Sequence, residues 1–140
     1  MPIGGHLVDT GFLYAALTST DNWHEQCASL LRRTQKPLIT TQAVLAELFW
    51  LIGPNRHFVR SGWQLVRSGA ITLGEIGDND LLHLEALMLK YADRPMDFAD
   101  ATLVHVATRE NIADILTIDH DDFETYRFGR NRKFRIAPAG

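Results

Sequence analysis

Four carboxylates, Asp9, Glu47, Asp100 and Asp119, stand among apolar neighbours. Asp9 closes the short run Leu7-Val8, and Asp119 closes Ile115-Leu116-Thr117-Ile118. Both runs have the character of buried strands. Glu47 follows Val44 by three residues and precedes Leu51 by four, with Leu48 beside it, which at helical spacing puts them on one face. Asp100 shares such a face with Leu103, Val104 and Ala107. A carboxylate on a core-facing stripe is costly unless it is paired, protonated or bound to a metal. Each position also has a plainer reading. Asp9 could cap a helix, and Glu47 could sit at the solvent edge of a wide stripe. Asp97 with Asp100 resembles a capping pair at the positive end of a helix, and Asp119 could be a turn residue in Asp119-His120-Asp121-Asp122. Four such coincidences in 140 residues are less frequent than any one of them. Gathered in one cleft, the four acids would repel one another, and a hard divalent cation would relieve that repulsion. All-oxygen ligation suits Mg²⁺ or Mn²⁺.

The elements that must bring these residues together alternate in type. Strands are expected at residues 6–9, 37–40, 70–73 and 114–118, with a last strand at 133–136 on a sheet edge. Helices are expected at 12–17, 22–33, 42–52, 56–67, 79–91 and 99–110. Asn22 with Glu25 fits a capping box for the second helix, and Gly53-Pro54 stops the third. Strands alternating with helices imply an α/β fold, a parallel sheet with helices on both faces. Ligands of such sheets bind outside the carboxyl ends of the strands, so parallel neighbours ending at Asp9 and Asp119 would present both carboxylates on one edge.

Composition sets the frame. The length suits one domain, residues 1–140, large enough to bury a core without disulfides. A single cysteine, Cys27, excludes an internal disulfide and a multi-cysteine zinc site, and it shares an apolar helix face with Trp23, Leu30 and Leu31. No apolar run reaches membrane-spanning length and no secretory leader is evident, so a soluble cytoplasmic domain is expected. The net charge of −3 is unevenly spread. All 17 acids lie at or before Glu124, beside nine basic residues, and Arg127, Arg130, Arg132, Lys133 and Arg135 follow. An acidic body is unusual for a polyanion binder. If nucleic acid binds, some acids must do something other than repel it, and holding a cation is one such role.

The ordered motifs resemble the PIN-domain nucleases, most closely the small VapC-type toxins of type II toxin–antitoxin systems. The carrying motifs are Val8-Asp9-Thr10-Gly11-Phe12-Leu13, Thr41 followed after five residues by Glu47-Leu48, Met96-Asp97-Phe98-Ala99-Asp100-Ala101-Thr102-Leu103, and Leu116-Thr117-Ile118-Asp119. Their order, spacing and span match the family over nearly the whole chain. The resemblance implies a three-layer α/β/α sandwich around a parallel sheet of four to five strands. It implies Mg²⁺- or Mn²⁺-dependent endoribonuclease activity, with Asp9, Glu47, Asp100 and Asp119 as the catalytic and metal-holding acids. Thr10, Asp97 and Asp122 would support them. It also implies homodimers and, in the toxin branch, a small antitoxin partner.

Beyond the acids, the basic tail offers Arg130, Arg132 and Lys133 as phosphate contacts, against the plainer reading of a charged, protected edge strand. Arg60, Trp63 and Arg67 share a helix face that combines cations with an aromatic ring, a mixture that suits RNA, although such a tryptophan also serves as core or interface. Two other readings compete. One is a non-catalytic member of the same fold that binds RNA or a protein. The other is a phosphoacceptor signalling domain, which would want paired acids near the first strand's end and a late lysine; Asp9 has no adjacent acid, and the late lysine is Lys133 inside the basic tail.

Overall fold

The computed structural model describes residues 5–35 and 37–140. Strand β1 (His6–Val8) leads directly into helix α1 (Thr10–Leu17), and α2 (His24–Arg33) returns the chain to β2 (Leu38–Thr40). Helices α3 (Gln42–Ile52) and α4 (Arg56–Arg67) then lead to β3 (Ile71–Leu73). A 3₁₀ turn (Asp78–Asp80) opens α5 (Leu81–Lys90), which is followed by α6 (Phe98–Glu110) and β4 (Asp114–Leu116). The chain closes with α7 (His120–Thr125), a hairpin of β5 (Arg127–Phe128) and β6 (Arg132–Lys133), and β7 (Arg135–Ala137).

The central sheet has five parallel strands in the order β3-β2-β1-β4-β7. Its strands are short apolar runs because both faces are covered: Leu7, Val8, Leu38, Ile115 and Leu116 are all buried. The chain moves outward one way from β1 through β2 to β3, then begins again on the other side with β4. The boundary between β1 and β4 is therefore the topological switch point, where this kind of sheet opens a crevice at its carboxyl edge. Leu7 pairs with Ile115 and Val8 with Leu116, so the two strands end level.

Helix α6 packs on this sheet with residues 99 and 101–107 all buried. Its buried residues fall on every side of the helix, as in a helix held in the interior; they include the polar Thr102 and His105, and the half-buried Asp100 interrupts the run. Helices α1, α3, α4, α6 and α7 begin where a side chain takes up an orphan N–H: Asp9 accepts from Phe12, Thr41 from Val44, Asn55 from Phe58, Asp97 from Asp100 and Asp119 from Asp122. Gly53 ends α3 at φ 71°, before Pro54, as expected of a glycine stop.

Three local expectations shift. The second helix starts at His24 rather than at residue 22, because the Asp21 carboxylate takes the Trp23 amide at 2.8 Å and the Asn22–Glu25 box does not form. The fourth strand stops at Leu116, two residues early, as the chain turns toward the Asp119 cap of α7. The basic tail folds first into the β5–β6 hairpin, and the edge strand follows at Arg135–Ala137, tied to β4 by paired Arg135–Asp114 hydrogen bonds of 2.8 and 2.9 Å.

Candidate metal centre and active site

The crevice at the β1/β4 switch point is lined by carboxylates. Asp9 follows β1 and is 6% exposed. One of its oxygens caps α1 through the Phe12 amide at 2.9 Å, and the other accepts the Thr117 hydroxyl. The Thr117 hydroxyl also accepts the Asp119 amide at 2.9 Å. A single buried threonine therefore ties the two strand-end aspartates together.

Asp100, on the first turn of α6, points toward the same crevice and accepts the Tyr126 hydroxyl at 3.1 Å. Carboxylate oxygens of Asp100, Asp119 and Asp122 all lie within 4.8 Å of one another. Asp122 is held from outside by Arg94 at 3.0 Å. Glu47, half-buried on α3, accepts the Thr10 hydroxyl at 2.8 Å. Its helix face divides: Val44 and Leu48 go into the core, while Leu51 remains 46% exposed. Glu47 lies on that boundary, which is how a carboxylate can sit beside the core and still look into a cleft. Asp97, the cap of α6, neighbours both Glu47 and Asp100 and repels both.

The electrostatics follow from this crowding. Burial, then repulsion from Asp97 and Asp9, pushes the Asp100 carboxyl up to about 8. Burial pushes Asp9 up to about 6 against the opposing hydrogen bonds from Thr117 and Phe12, and Asp119 and Glu47 add repulsion. Asp119 is also pushed up to about 6, by burial and by the adjacent Asp122. Glu47 is raised mainly by burial. Tyr126 is raised by burial and by the negative charge of Asp100, so it stays a hydroxyl donor. Carboxylates raised together at a cleft by desolvation and mutual repulsion make this crevice the candidate functional site.

Chemically, an all-oxygen group of this kind fits a hard divalent cation. Asp100, Asp119 and Asp122 could hold one, and Asp9 faces Asp119 and Asp100 from β1. The four acids read from the sequence, together with Thr10, Asp97 and Asp122, share this neighbourhood. Arg130, Arg132 and Lys133 do not join it. They lie on the hairpin beside the far half of α6, where the Gly129 amide bonds to Thr108 at 3.0 Å. Arg132 is occupied by Asn111 and lies over the Phe128 ring. Sequence reasoning missed Thr117, Tyr126 and Arg94. Thr117 had a signal, since it falls inside the Leu-Thr-Ile-Asp run; the other two arrive from distant segments and had none.

The fold and site define a class: a parallel α/β/α domain with carboxylates gathered at its switch point. The chain belongs to the PIN domain family, whose family model matches residues 6–129. Among solved structures it is similar to the Mycobacterium tuberculosis toxin VapC20, a sarcin-ricin-loop-cleaving toxin. That match has a TM-score of 0.74 and 18% identity, covering 83% of this chain and 92% of that one. It is also similar to a chain of Rickettsia felis VapBC2 bound to a DNA fragment from their promoter, with a TM-score of 0.63 and 13% identity over 94% of this chain and 98% of that one. At such identities the likeness is one of fold. No curated protein matches the sequence. Among the described residues, no helix is long and apolar enough to cross a membrane.

Proposed function

We propose that this protein is a metal-dependent endoribonuclease that hydrolyses RNA phosphodiester bonds, and that it is the toxin of a toxin–antitoxin pair. One observation carries the reading: carboxylates from β1, α6 and the β4–α7 turn converge at the switch point of a PIN-family sheet. Asp9, Asp100 and Asp119 would hold Mg²⁺ or Mn²⁺, with Asp122 completing the oxygen set. Bound there, the ion would supply the positive charge that makes water easier to deprotonate and offsets charge on a phosphate. Thr117 orients Asp9, and Tyr126 orients Asp100. Glu47, its proton affinity raised by burial and its oxygen fixed by Thr10, is the group placed to hold a proton taken from water. Asp97 keeps Glu47 basic by repulsion.

The toxin assignment draws on the motif resemblance and on the two fold neighbours, one a sarcin-ricin-loop-cleaving toxin and the other VapBC2 bound to a fragment of promoter DNA. Homodimers accord with α5, where Leu81, Leu82, Met88 and Leu89 present an apolar face at 52%, 78%, 36% and 70% exposure. The non-catalytic reading is not favoured, because a site without turnover has no need to keep so many mutually repelling acids together.

Calorimetric Mn²⁺ titration of the wild type beside Asp9→Asn tests the metal site without knowledge of the RNA. Binding is expected in the wild type and at least tenfold weaker in the variant. Equal binding in both, or none in either, overturns the assignment.

A further inference from the structure

Helix α4 carries an open basic face that the carboxylate site does not use. The chain holds no acid between Glu47 and Glu75, although it has 17 in all, and three arginines fall in that interval on α4. Arg56, Arg60, Trp63 and Arg67 recur at spacings of four, three and four, so they form one stripe about 16 Å long. With Pro54 and Val59 they line a surface groove. Among the described residues, no ion pair or hydrogen bond engages the side chains of Arg56, Arg60 or Arg67. By contrast Arg94, Arg109 and Arg135 are each paired with an acid. Unpaired guanidinium groups around a half-exposed indole are poorly explained by stability alone.

The groove is joined to the site through α3. Gly62 lets α4 approach closely, since a Cβ there would meet the Phe49 ring at 3.0 Å. Phe49 in turn stacks on Trp63, with ring centroids 5.1 Å apart. Two residues before Phe49, Glu47 lines a second cleft with Thr10, Gly11, Trp50 and Leu51. Trp50 is 81% exposed on that side. The basic groove and the cleft that holds Glu47 therefore flank the same helix, α3, on different faces.

We propose that this face of α4 is the path of the substrate: a single-stranded RNA segment, with Arg56, Arg60 and Arg67 on its phosphates and Trp63 stacking an unpaired base. The inference rests on the nuclease reading and deepens it. Planar guanidinium groups match phosphate oxygens, and an indole accepts any base on its face. The groove also resolves the charge problem of an acidic protein acting on a polyanion, because the strand is held on the acid-free stretch and meets carboxylates only at the metal-binding crevice. The hairpin arginines fit this task less well: Thr108, against which the hairpin packs, is eight residues beyond Asp100, about 12 Å along α6.

The test measures fluorescence anisotropy of a labelled single-stranded RNA of mixed sequence, using Asp100→Asn as the background so that nothing is cleaved. Arg60→Gln with Arg67→Gln is expected to weaken binding at least tenfold. It should also reduce the slope of log affinity against log salt by about 1.4, the loss of two phosphate contacts. Trp63→Ala is expected to weaken binding at least fivefold, with Trp63→Phe restoring most of it. Unchanged affinity and salt slope in the double arginine variant, with RNA binding present in the background, overturns the proposal and leaves the nuclease reading standing. Absence of RNA binding in the background, together with absence of Mn²⁺ binding by the wild type, overturns both. Intact RNA binding with lost binding to a polyglutamate peptide assigns the face to an acidic protein partner and also overturns the proposal.

Discussion

Thr117 has one hydroxyl and uses it twice, donating to Asp9 and accepting from the Asp119 amide. Thr117→Val keeps the shape and removes both bonds. It is expected to cost about 1–3 kcal/mol in chemical denaturation, since Asp9 is left buried with one donor fewer. Mn²⁺ affinity should fall at least tenfold in the same variant, as is usual when the partner of a ligand is lost. Asp100 behaves in the opposite way. Its ionised form is disfavoured by burial and by Asp97 and Asp9. Asp100→Asn removes that penalty and keeps an oxygen for the Tyr126 hydroxyl. The metal-free variant is expected to melt about 3 °C or more above wild type, while RNA cleavage is abolished. Full cleavage by purified Asp100→Asn would sink the assignment. Asp9, Asp97 and Asp119 all receive helix amides, so the capping reading of Asp9 and Asp97 is correct, Asp119 is a helix cap rather than a turn residue, and capping is compatible with the proposed metal role.

At the scale of elements, the switch point between β1 and β4 decides where chemistry can occur, and α6 decides what sits there. Both strands and the helix were legible, because buried parallel strands and a helix with a long apolar stripe leave strong patterns. Adjacency of β1 and β4 stood in the sequence only as a condition, and the register Leu7–Ile115 is set by the fold. Helix α7 and the β5–β6 hairpin were not legible: they are short, polar and set by the Asp119 cap and by positive-φ backbone at Gly129 and Asn131. The apolar rows of α5 suggest a contact between copies. Leu82→Asp with Leu89→Asp is expected to convert dimer to monomer by light scattering, with the far-UV spectrum unchanged because both side chains are exposed in the protomer.

For the whole molecule, the gathered acids make stability depend on pH, and the proposed metal site makes it depend on a cation as well. Asp9, Asp119 and Asp100 lie at about 6, 6 and 8, above their ordinary value of 3.8. Between about pH 4 and 8 the folded state therefore binds more protons than the unfolded chain, and stability falls as pH rises through that window. Asp80 and Asp114 are lowered by their partners and act in the other direction, losing their contribution only in more acidic solution. The metal-free protein is expected to melt higher at pH 5.5 than at pH 8. Adding Mn²⁺ should raise the melting temperature more at pH 8 than at pH 5.5, because protons compete for the same oxygens. A flat profile in scanning calorimetry would contradict the crowded geometry.

The amino-acid sequence by itself determined which residues could hold an ion, which of the longer segments are strands and helices, and that Asp9 and Asp119 close apolar runs. These are local properties, written in residue type and period. Only the tertiary structure decided that Asp122 stands with Asp100 and Asp119, that Thr117 bridges two strand ends and Tyr126 reaches Asp100, and that the basic hairpin lies away from the crevice. Such pairings depend on how far each turn swings a segment that has no periodic signal. They are set by the packing of the whole chain around β1 and α6 rather than by any stretch of it.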